Sequence, residues 1–275
     1  MSAFSTATLL QGWRDNPVLA REAFGRWRLR TNGGKANYIP AFVLLVLAGL
    51  TYFFAINSLF SQDMRRSASD LYNGMRSGVE LTLILLVLPS LASATITRER
   101  EQQTWNALLL SRLTSREIVM GKFVGSLIPV MLLLIALAPI DIVSAIIGRI
   151  SLWRFALSSV LLIEIAIFCA ASGVFFSWAR RRTSQASANV YGLLGFLTVG
   201  TWILYGLAQA SLPYSSSDIA FLLWINPYTA LYSALDKDAF PSAGLFALAL
   251  YPLVSAGLLA VVIARLRYGS KELEQ

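Results

Sequence analysis

The chain has 275 residues, of which 56% are hydrophobic and only 14% are charged, whereas soluble domains have about 25% charged residues. Its mean hydropathy is +0.61. A soluble domain of this size could not bury so much apolar surface in one core, so the composition predicts a helical protein that crosses the membrane several times.

Two residue counts exclude much of enzyme chemistry. Histidine is absent and Cys169 is the single cysteine. Nucleophilic machinery based on histidine, His-ligated haem and His-containing zinc sites are therefore excluded, as is an intrachain disulfide. Cys169 lies in an apolar run, which favours a small buried hydrophobic residue. We expect no catalytic residue, no metal site and no cofactor on this chain.

The N-terminal segment, residues 1–38, contains charges and no continuous apolar core, so no cleavable signal peptide is expected. Residues 16–30 predict an amphipathic helix, with an asparagine suited to the N-cap and a proline suited to the first helical position. Apolar side chains fall mostly on one side and charged ones on the other, which indicates a helix lying in the membrane interface rather than an ordinary soluble helix. The residues assigned to this elbow helix are Pro17, Arg21, Glu22, Phe24 and Trp27.

Six apolar runs are long enough to cross about 30 Å of hydrocarbon as helices. They cover residues 39–60, 81–97, 123–147, 155–178, 188–210 and 244–264. The sequence therefore predicts a transmembrane domain of six helices over residues 39–264, followed by a tail at residues 265–275.

The basic residues predict the orientation of these spans. Seventeen of the 23 lysines and arginines lie in the N-terminal segment, in the loop between the second and third spans, after the fourth span or after the sixth. The positive-inside rule then places both termini in the cytoplasm. The net charge of +8 is explained by topology, and no nucleic-acid partner is expected.

The loop between the second and third spans, residues 98–122, is too structured for a simple connector. Charged residues 99–101 extend the second helix into the cytoplasm, and an apolar stripe begins at Trp105. Thr114 and Glu117 form a T-x-x-E capping box just before the third span. These features predict a helix–turn–helix at the cytoplasmic surface. The alternative is a solvated run of charges that only fixes topology.

This loop resembles the signature of permease subunits of ABC transporters of the type-2 exporter class. That signature is approximately E-x-E-x-G-T, an acidic position, a leucine cluster, P-L-S, then E-I and G-K. The matching residues are Glu99, Glu101, Thr104, Leu108, Leu109, Leu110, Leu113, Glu117, Ile118, Gly121 and Lys122, with Thr114 in the place of the serine. The chain departs from the signature at Gln103, Asn106 and Arg112, where glycine, an acidic residue and proline are expected. Residues 16–22 and 225–231 are similar to the elbow-helix opening and to the segment before the last span.

The resemblance implies the membrane-spanning subunit of an ATP-driven exporter in a bacterial-type cytoplasmic membrane. Such permeases act as dimers of identical or homologous subunits, with two copies of a cytoplasmic ABC ATPase. The loop between the second and third spans forms the coupling helix, which is received by the ATPase. By this resemblance the coupling residues are Glu99, Glu101, Thr104, Trp105, Leu108, Leu109, Thr114, Glu117, Gly121 and Lys122.

Nucleotide chemistry is expected on the partner. The chain contains no G-x-x-x-x-G-K-[ST] sequence, since Gly121-Lys122 is followed by phenylalanine. ATP and Mg are therefore expected on the ATPase subunit.

Glu164 lies about nine residues into the fourth predicted span, roughly 14 Å from its outer end at about 1.5 Å per residue. A carboxylate near the midplane is costly and must face protein or water. It is either a group of the transport path or a hydrogen-bonding group between helices. Glu80 and Asp141 fall at outer span ends, where we expect solvent to satisfy them.

The outer segment, residues 211–242, contains the apolar cluster 221–225, which is too short to cross the membrane. It predicts a shallow re-entrant or interfacial helix pair. A seventh crossing is the alternative, but it would put the C-terminus outside and spoil the charge bias. In the fifth span, Gly192, Gly195 and Gly200 fit a packing face between helices.

Other functional classes fit less well. A self-contained secondary transporter would use an ion gradient and Glu164 as its coupling carboxylate, but no inverted repeat is visible. An intramembrane enzyme would lack the usual acid–base and metal chemistry. A non-catalytic scaffold would leave the structured loop unexplained.

Overall fold

The computed structural model describes Gly49 and residues 64–109, 113–211, 219–235 and 242–272. Most of these residues are helical, and none of them forms a strand. The first predicted span, 39–60, and the predicted elbow helix with Pro17, Arg21, Glu22, Phe24 and Trp27 lie outside the described residues.

In chain order, the helices of the described residues are α1 (Met64–Gly74), a first π-helical turn (Met75–Glu80), α2 (Leu81–Glu101), α3 (Trp105–Leu109), α4 (Ser115–Ile147), α5 (Leu152–Ala179), α6 (Thr183–Gly195), a second π-helical turn (Phe196–Gly200), α7 (Thr201–Ser211), a 3-10 turn (Ala220–Leu223), α8 (Pro227–Leu235) and α9 (Ser242–Glu272).

Among the described residues, five helical stretches are long and apolar enough to cross a membrane, and they contain the second to sixth predicted spans. They are Ala68–Glu101, Ser115–Ile147, Leu152–Ala179, Thr183–Ser211 and Gly244–Leu266. The prediction of a polytopic helical membrane protein is therefore confirmed. Of the six predicted spans, only the first lies outside the described residues.

The second span extends further than the apolar pattern indicates. Its helix continues backwards from Leu81 through the first π-helical turn into α1, with helical backbone at both junctions. Helix α1 is amphipathic, since Ala68 and Tyr72 are buried whereas Arg66 and Asp70 are exposed. Its polar face lowers the average hydropathy, and for that reason a search for apolar runs stops short of it.

Helix α5 is the centre of the bundle and packs most extensively on α2 and α9. The α2–α5 contact is close because a Cβ at Gly173 would clash with the Cβ of Ala92 and lie 3.2 Å from the backbone N of Ser93. The Oγ of Ser177 accepts hydrogen bonds from the backbone N–H of Ile96 (2.9 Å) and Thr97 (3.1 Å). Small residues thus let two membrane helices approach, as is typical of such interfaces.

Two of the three glycines predicted to form a packing face in the fifth span make no close contact with the described residues. A Cβ at Gly192 or Gly195 would meet no described atom within 4 Å, and one at Gly200 would meet only the ring of Phe196 in its own helix. Among the described residues, close approaches of another helix's backbone to a glycine occur at Gly173 of α5 and at Gly148, which follows α4.

Short connections determine which helix ends are neighbours. Helices α2 and α4 are joined through α3, and α5 and α6 are joined by residues 180–182, so these links share what we call the α3 end. Residues 148–151 join α4 to α5 at the opposite end. Helix α8 also lies there, because Arg154 Nη1 donates to the carbonyl of Leu235 at 2.9 Å. We call it the α8 end.

The segment before α9 consists of the 3-10 turn and α8, and neither is long enough to cross a membrane. Asn226 fixes it: its Nδ2 donates to the Thr198 carbonyl and to Thr201 Oγ1, both at 2.8 Å. Tyr251 also donates from its hydroxyl to the Ile225 carbonyl at 3.1 Å. The described residues of this segment thus dock on the second π-helical turn and α9 without a further crossing.

The expectation that solvent satisfies Glu80 and Asp141 is wrong. Their exposed fractions are only 1% and 2%, and both carboxylates contact Arg76, which is 6% exposed. The end of an apolar run does not mark the end of the second helix, which continues past Glu80 into α1. Helix α1 then covers α4 where Asp141 lies.

Candidate functional site

Helix α2 ends at the α3 end in a Schellman motif. The backbone N–H of Gln103 donates to the Arg100 carbonyl (3.1 Å), and that of Thr104 donates to the Glu99 carbonyl (2.9 Å). Gln103 has φ 57, the left-handed conformation that this motif requires and that glycine usually supplies. The family signature has glycine at this position. The turn therefore forms in spite of the departure, with a non-glycine residue that costs about 1–2 kcal/mol there.

A buried ion pair joins the two ends of the loop. Lys122 Nζ lies 2.9 Å from Glu99 Oε1 and donates to the Thr95 carbonyl, also at 2.9 Å. Lys122 is fully buried and Glu99 is nearly so. The contact fixes the end of α2 against the second turn of α4, so the start and the end of the loop are held at one separation.

The capping box predicted at Thr114 and Glu117 is confirmed. The Thr114 N–H donates to Glu117 Oε2 at 2.7 Å, and the Glu117 N–H donates to Thr114 Oγ1 at 3.3 Å. These reciprocal bonds satisfy N–H groups at the start of α4, which consequently begins at Ser115.

Arg100 connects the loop to the end of α5. Its Nη1 donates to the carbonyls of Trp178 (2.7 Å) and Arg180 (2.9 Å), which lack partners in their own helix. Its guanidinium also lies over the ring of Trp105, 5.5 Å from the ring centre. Trp105, the first residue of α3, is buried, so this cation–π contact helps to hold α3 against the bundle.

Glu101 connects the loop to the start of α6. Its Oε1 accepts a 2.7 Å hydrogen bond from the backbone N–H of Thr183, the first residue of that helix. A carboxylate at a helix N-terminus is favourable because free N–H groups and the helix dipole meet it there. Thr183 also donates from its hydroxyl to Thr97 Oγ1 at 2.9 Å. The loop is therefore bonded to the α5–α6 junction as well as to α2 and α4.

These internal bonds leave a small polar surface for a partner. On α3 the exposed residues are Asn106 and Ala107, whereas Leu108 and Leu109 are half-buried. The exposed surface around α3 also includes Gln102, Thr104, Thr114 and Arg116. Among the described residues no group of three or more carboxylates or thiols could hold a metal.

The ten residues assigned to coupling thus divide by exposure. Glu99, Trp105, Gly121 and Lys122 are buried and face the inside of the bundle. The exposed members are Glu101, Thr104 and Thr114, and the half-buried members are Leu108, Leu109 and Glu117. Their role in coupling stays a prediction, but the first four can act only by holding the loop in place.

Sequence reasoning missed Arg100, Thr183 and Ser177 as members of this site. Each contacts a residue that lies about 80 positions away along the chain. No spacing rule reports such a contact. The one available signal is the accumulation of charges at the end of an apolar helix beside another helix terminus.

Glu164 lies apart from this site, near the middle of α5. It is half-buried, and its Oε2 has no hydrogen-bond partner within the part of the chain that the structure describes. Val160 and Ile163, close to it along the helix, are exposed. Glu164 therefore lies at the edge of the exposed face of α5, with its Oε2 atom buried, and its role stays a prediction.

A comparison with protein families agrees with the resemblance of the loop. Residues 35–273 match the family model of the ABC-2 family transporter protein, a range that includes every described helix and the predicted first span. A comparison with curated proteins gives no match.

We predict that the folded protein is destabilised when the buried pair loses only one of its two charges. Lys122→Met leaves Glu99 buried without its cation and should lower the free energy of unfolding by about 3–5 kcal/mol. The double variant Glu99→Gln/Lys122→Met should recover most of that loss, because no lone charge stays inside. Equilibrium unfolding in mixed micelles measures both.

Arg116→Met is the matched control, because Arg116 is an exposed cation in the same helix. It should change the free energy of unfolding by less than about 0.5 kcal/mol. A Lys122→Met variant as stable as this control would contradict the prediction.

We also predict that Gln103→Gly stabilises the protein by about 1 kcal/mol, because glycine adopts a φ of 57 without a steric penalty. Gln102→Gly is the control: with φ −87 it has no strain to lose, so the greater freedom of glycine in the unfolded chain should destabilise it. Thermal unfolding of the two variants should shift in opposite directions. A shift of the same sign would show that the turn is not strained at Gln103.

Proposed function

Because the chain belongs to the ABC-2 family of transporters, we propose that it is the permease subunit of an ATP-driven exporter whose ATPase is a separate cytoplasmic protein. A permease of this family is the membrane component of a transporter and associates with an ABC ATPase. The observation that carries the proposal is the presentation of α3 on a base of buried polar contacts at one end of the bundle.

The α3 end is proposed to face the cytoplasm. The exposed arginines 180–182 lie at this end, beside the basic residues of the loop. Such a bias marks the cytoplasmic side of a membrane protein. On this orientation the protein has six spans with both termini in the cytoplasm, and residues 16–30 form an elbow helix in the interface of a bacterial-type inner membrane.

Helix α3 has only five residues, which is too short to be stable alone. Support for a coupling role comes from what holds it: the Schellman turn on one side, the packing of Trp105 beneath it, and the Glu99–Lys122 pair below. Asn106 and Ala107 then face outward for the ATPase.

The same contacts provide a route for movement. A displacement of α3 on ATP binding would reach α2 and α4 through the loop ends. It would also reach the α5–α6 junction through Arg100 and Glu101, which bond to it directly. We propose that this movement re-packs the spans and opens the path to the α8 end.

A second permease subunit, identical or homologous, is proposed to complete the path. The fifth span exposes large apolar side chains, among them Phe196, Val199, Trp202, Ile203 and Leu207. Lipid could cover them, but in the type-2 exporters that the loop resembles, the first and fifth spans line the dimer interface. The segment of the 3-10 turn and α8 would then act as the outer gate.

The proposal predicts a stable complex with an ATPase. The tagged chain, purified from its native membrane in mild detergent, should carry a nucleotide-binding subunit and hydrolyse ATP in a vanadate-sensitive manner. Ala107→Arg places a bulky cation on the exposed face of α3 and should remove most of the bound ATPase, at least tenfold, without lowering the amount of permease in the membrane.

Asp70→Arg is the control, since Asp70 is exposed on α1 at the opposite end. It should leave the bound ATPase unchanged. Equal loss in both variants, or normal ATPase binding by Ala107→Arg, would show that α3 is not the docking element.

A further inference from the structure

A second cluster of buried charges lies at the α8 end and has no role in the proposed coupling. Arg76 Nη1 is 3.4 Å from Glu80 Oε2, and Arg76 Nη2 is 3.3 Å from Asp141 Oδ2. Both carboxyl groups therefore contact the same guanidinium. We call these two residues the acid pair.

The guanidinium of Arg76 is enclosed by aromatic rings as well as by the acid pair. It lies 5.5 Å from the ring centre of Tyr72 and 5.2 Å from that of Phe155. The Tyr72 hydroxyl is in turn 2.8 Å from Ser158 Oγ. Groups from α1, α4 and α5 thus surround the cluster, and water cannot screen its charges.

Arg76 and Glu80 both belong to the first π-helical turn, Met75–Glu80. Turns of this kind are rare and are often found at functional sites, because the extra residue changes the direction of the side chains. Here they place a cation and a carboxyl group, four positions apart, on the same buried side of the helix.

The charges of the described cluster do not balance. Two ionised carboxylates beside one guanidinium would leave one negative charge uncompensated in a buried place, which is strongly unfavourable. Glu80 Oε2, Asp141 Oδ1 and the fully buried Ser144 Oγ, one turn from Asp141, have no hydrogen-bond partner among the described residues.

We propose that the acid pair is a binding site for one proton, held jointly by Glu80 and Asp141 and neutralising the cluster together with Arg76. Among the described residues, Arg76 contacts both carboxyl groups, the ring of Tyr72 lies against Arg76, and the buried Ser144 lies one turn from Asp141 on α4. Release of the proton would leave a net negative charge between α1 and α4. About two turns beyond Asp141 the end of α4 approaches α1 closely, since a Cβ at Gly148 would lie 2.9 Å from the backbone N of Ser69. The site thus makes this helix contact dependent on protonation, whatever drives transport.

The test is infrared spectroscopy of the purified chain in lipid vesicles at neutral pH, in a Glu164→Gln background that removes a carboxyl group within α5. The expected spectrum contains the carbonyl stretch of a protonated carboxyl group. Glu80→Gln and Asp141→Asn should each abolish this band, because one carboxylate then balances Arg76 without a proton. Asp70→Asn, at an exposed carboxylate, should leave it unchanged.

Arg76→Gln gives the opposite expectation. Without the guanidinium both carboxyl groups must be neutral, so the band should grow about twofold. If this variant does not fold, the two near-isosteric single variants still decide the question.

Absence of the band in the background protein, or a band that survives both Glu80→Gln and Asp141→Asn, would overturn the proposal. The band could be missing while thermal stability rises with Na⁺ or K⁺ concentration at constant pH. This result would also overturn the proposal, since a bound metal cation would then balance the cluster.

Discussion

The contact between Lys122 and Glu99 sets the geometry of the α3 end. A fully buried ammonium group has few favourable arrangements, and this one has a carboxylate and a backbone carbonyl at 2.9 Å each. Because removal of either charge takes a buried counter-ion from the other, breaking this contact is costly, and the ends of α2 and α4 are held at one relative position. The Schellman turn, α3 and the capping box of α4 all lie within the loop that this contact closes.

The same two membrane helices carry a second polar cluster at their other ends. One lysine meets one glutamate at the α3 end, whereas one arginine meets two carboxyl groups at the α8 end. Between these clusters, apolar residues of the second-span helix and of α4 pack against each other. Helix α2 also approaches α5 very closely at Gly173. A relative movement of the helices therefore has to alter polar contacts at one end or at the other. The balanced cluster suits a fixed joint, and the unbalanced one suits a contact that changes with protonation.

The apolar runs are sufficient to predict the second to sixth spans, because a membrane requires long stretches of one kind of side chain. The capping box at Thr114 and Glu117 is predictable for a similar reason, since it is a local pattern of hydrogen bonds. The burial of Glu80 and Asp141 is not predictable, because the amphipathic α1 leaves no apolar run and so hides the true end of the helix. The Glu99–Lys122 pair is not predictable either, because the chain must turn after α2 before these two residues can meet. That turn gives no sequence signal, since glutamine and not glycine has the left-handed conformation at Gln103.

The role of α3 as the element received by an ATPase is tested most directly by photo-crosslinking in intact cells. A photoreactive amino acid is placed at Ala107, which is exposed on α3, or at Phe221, which is exposed in the 3-10 turn near the α8 end. We predict an adduct with a protein that carries an ATP-binding G-x-x-x-x-G-K-[ST] motif from Ala107 and none from Phe221. No such adduct from Ala107, or equal adducts from both positions, would contradict a docking role for α3.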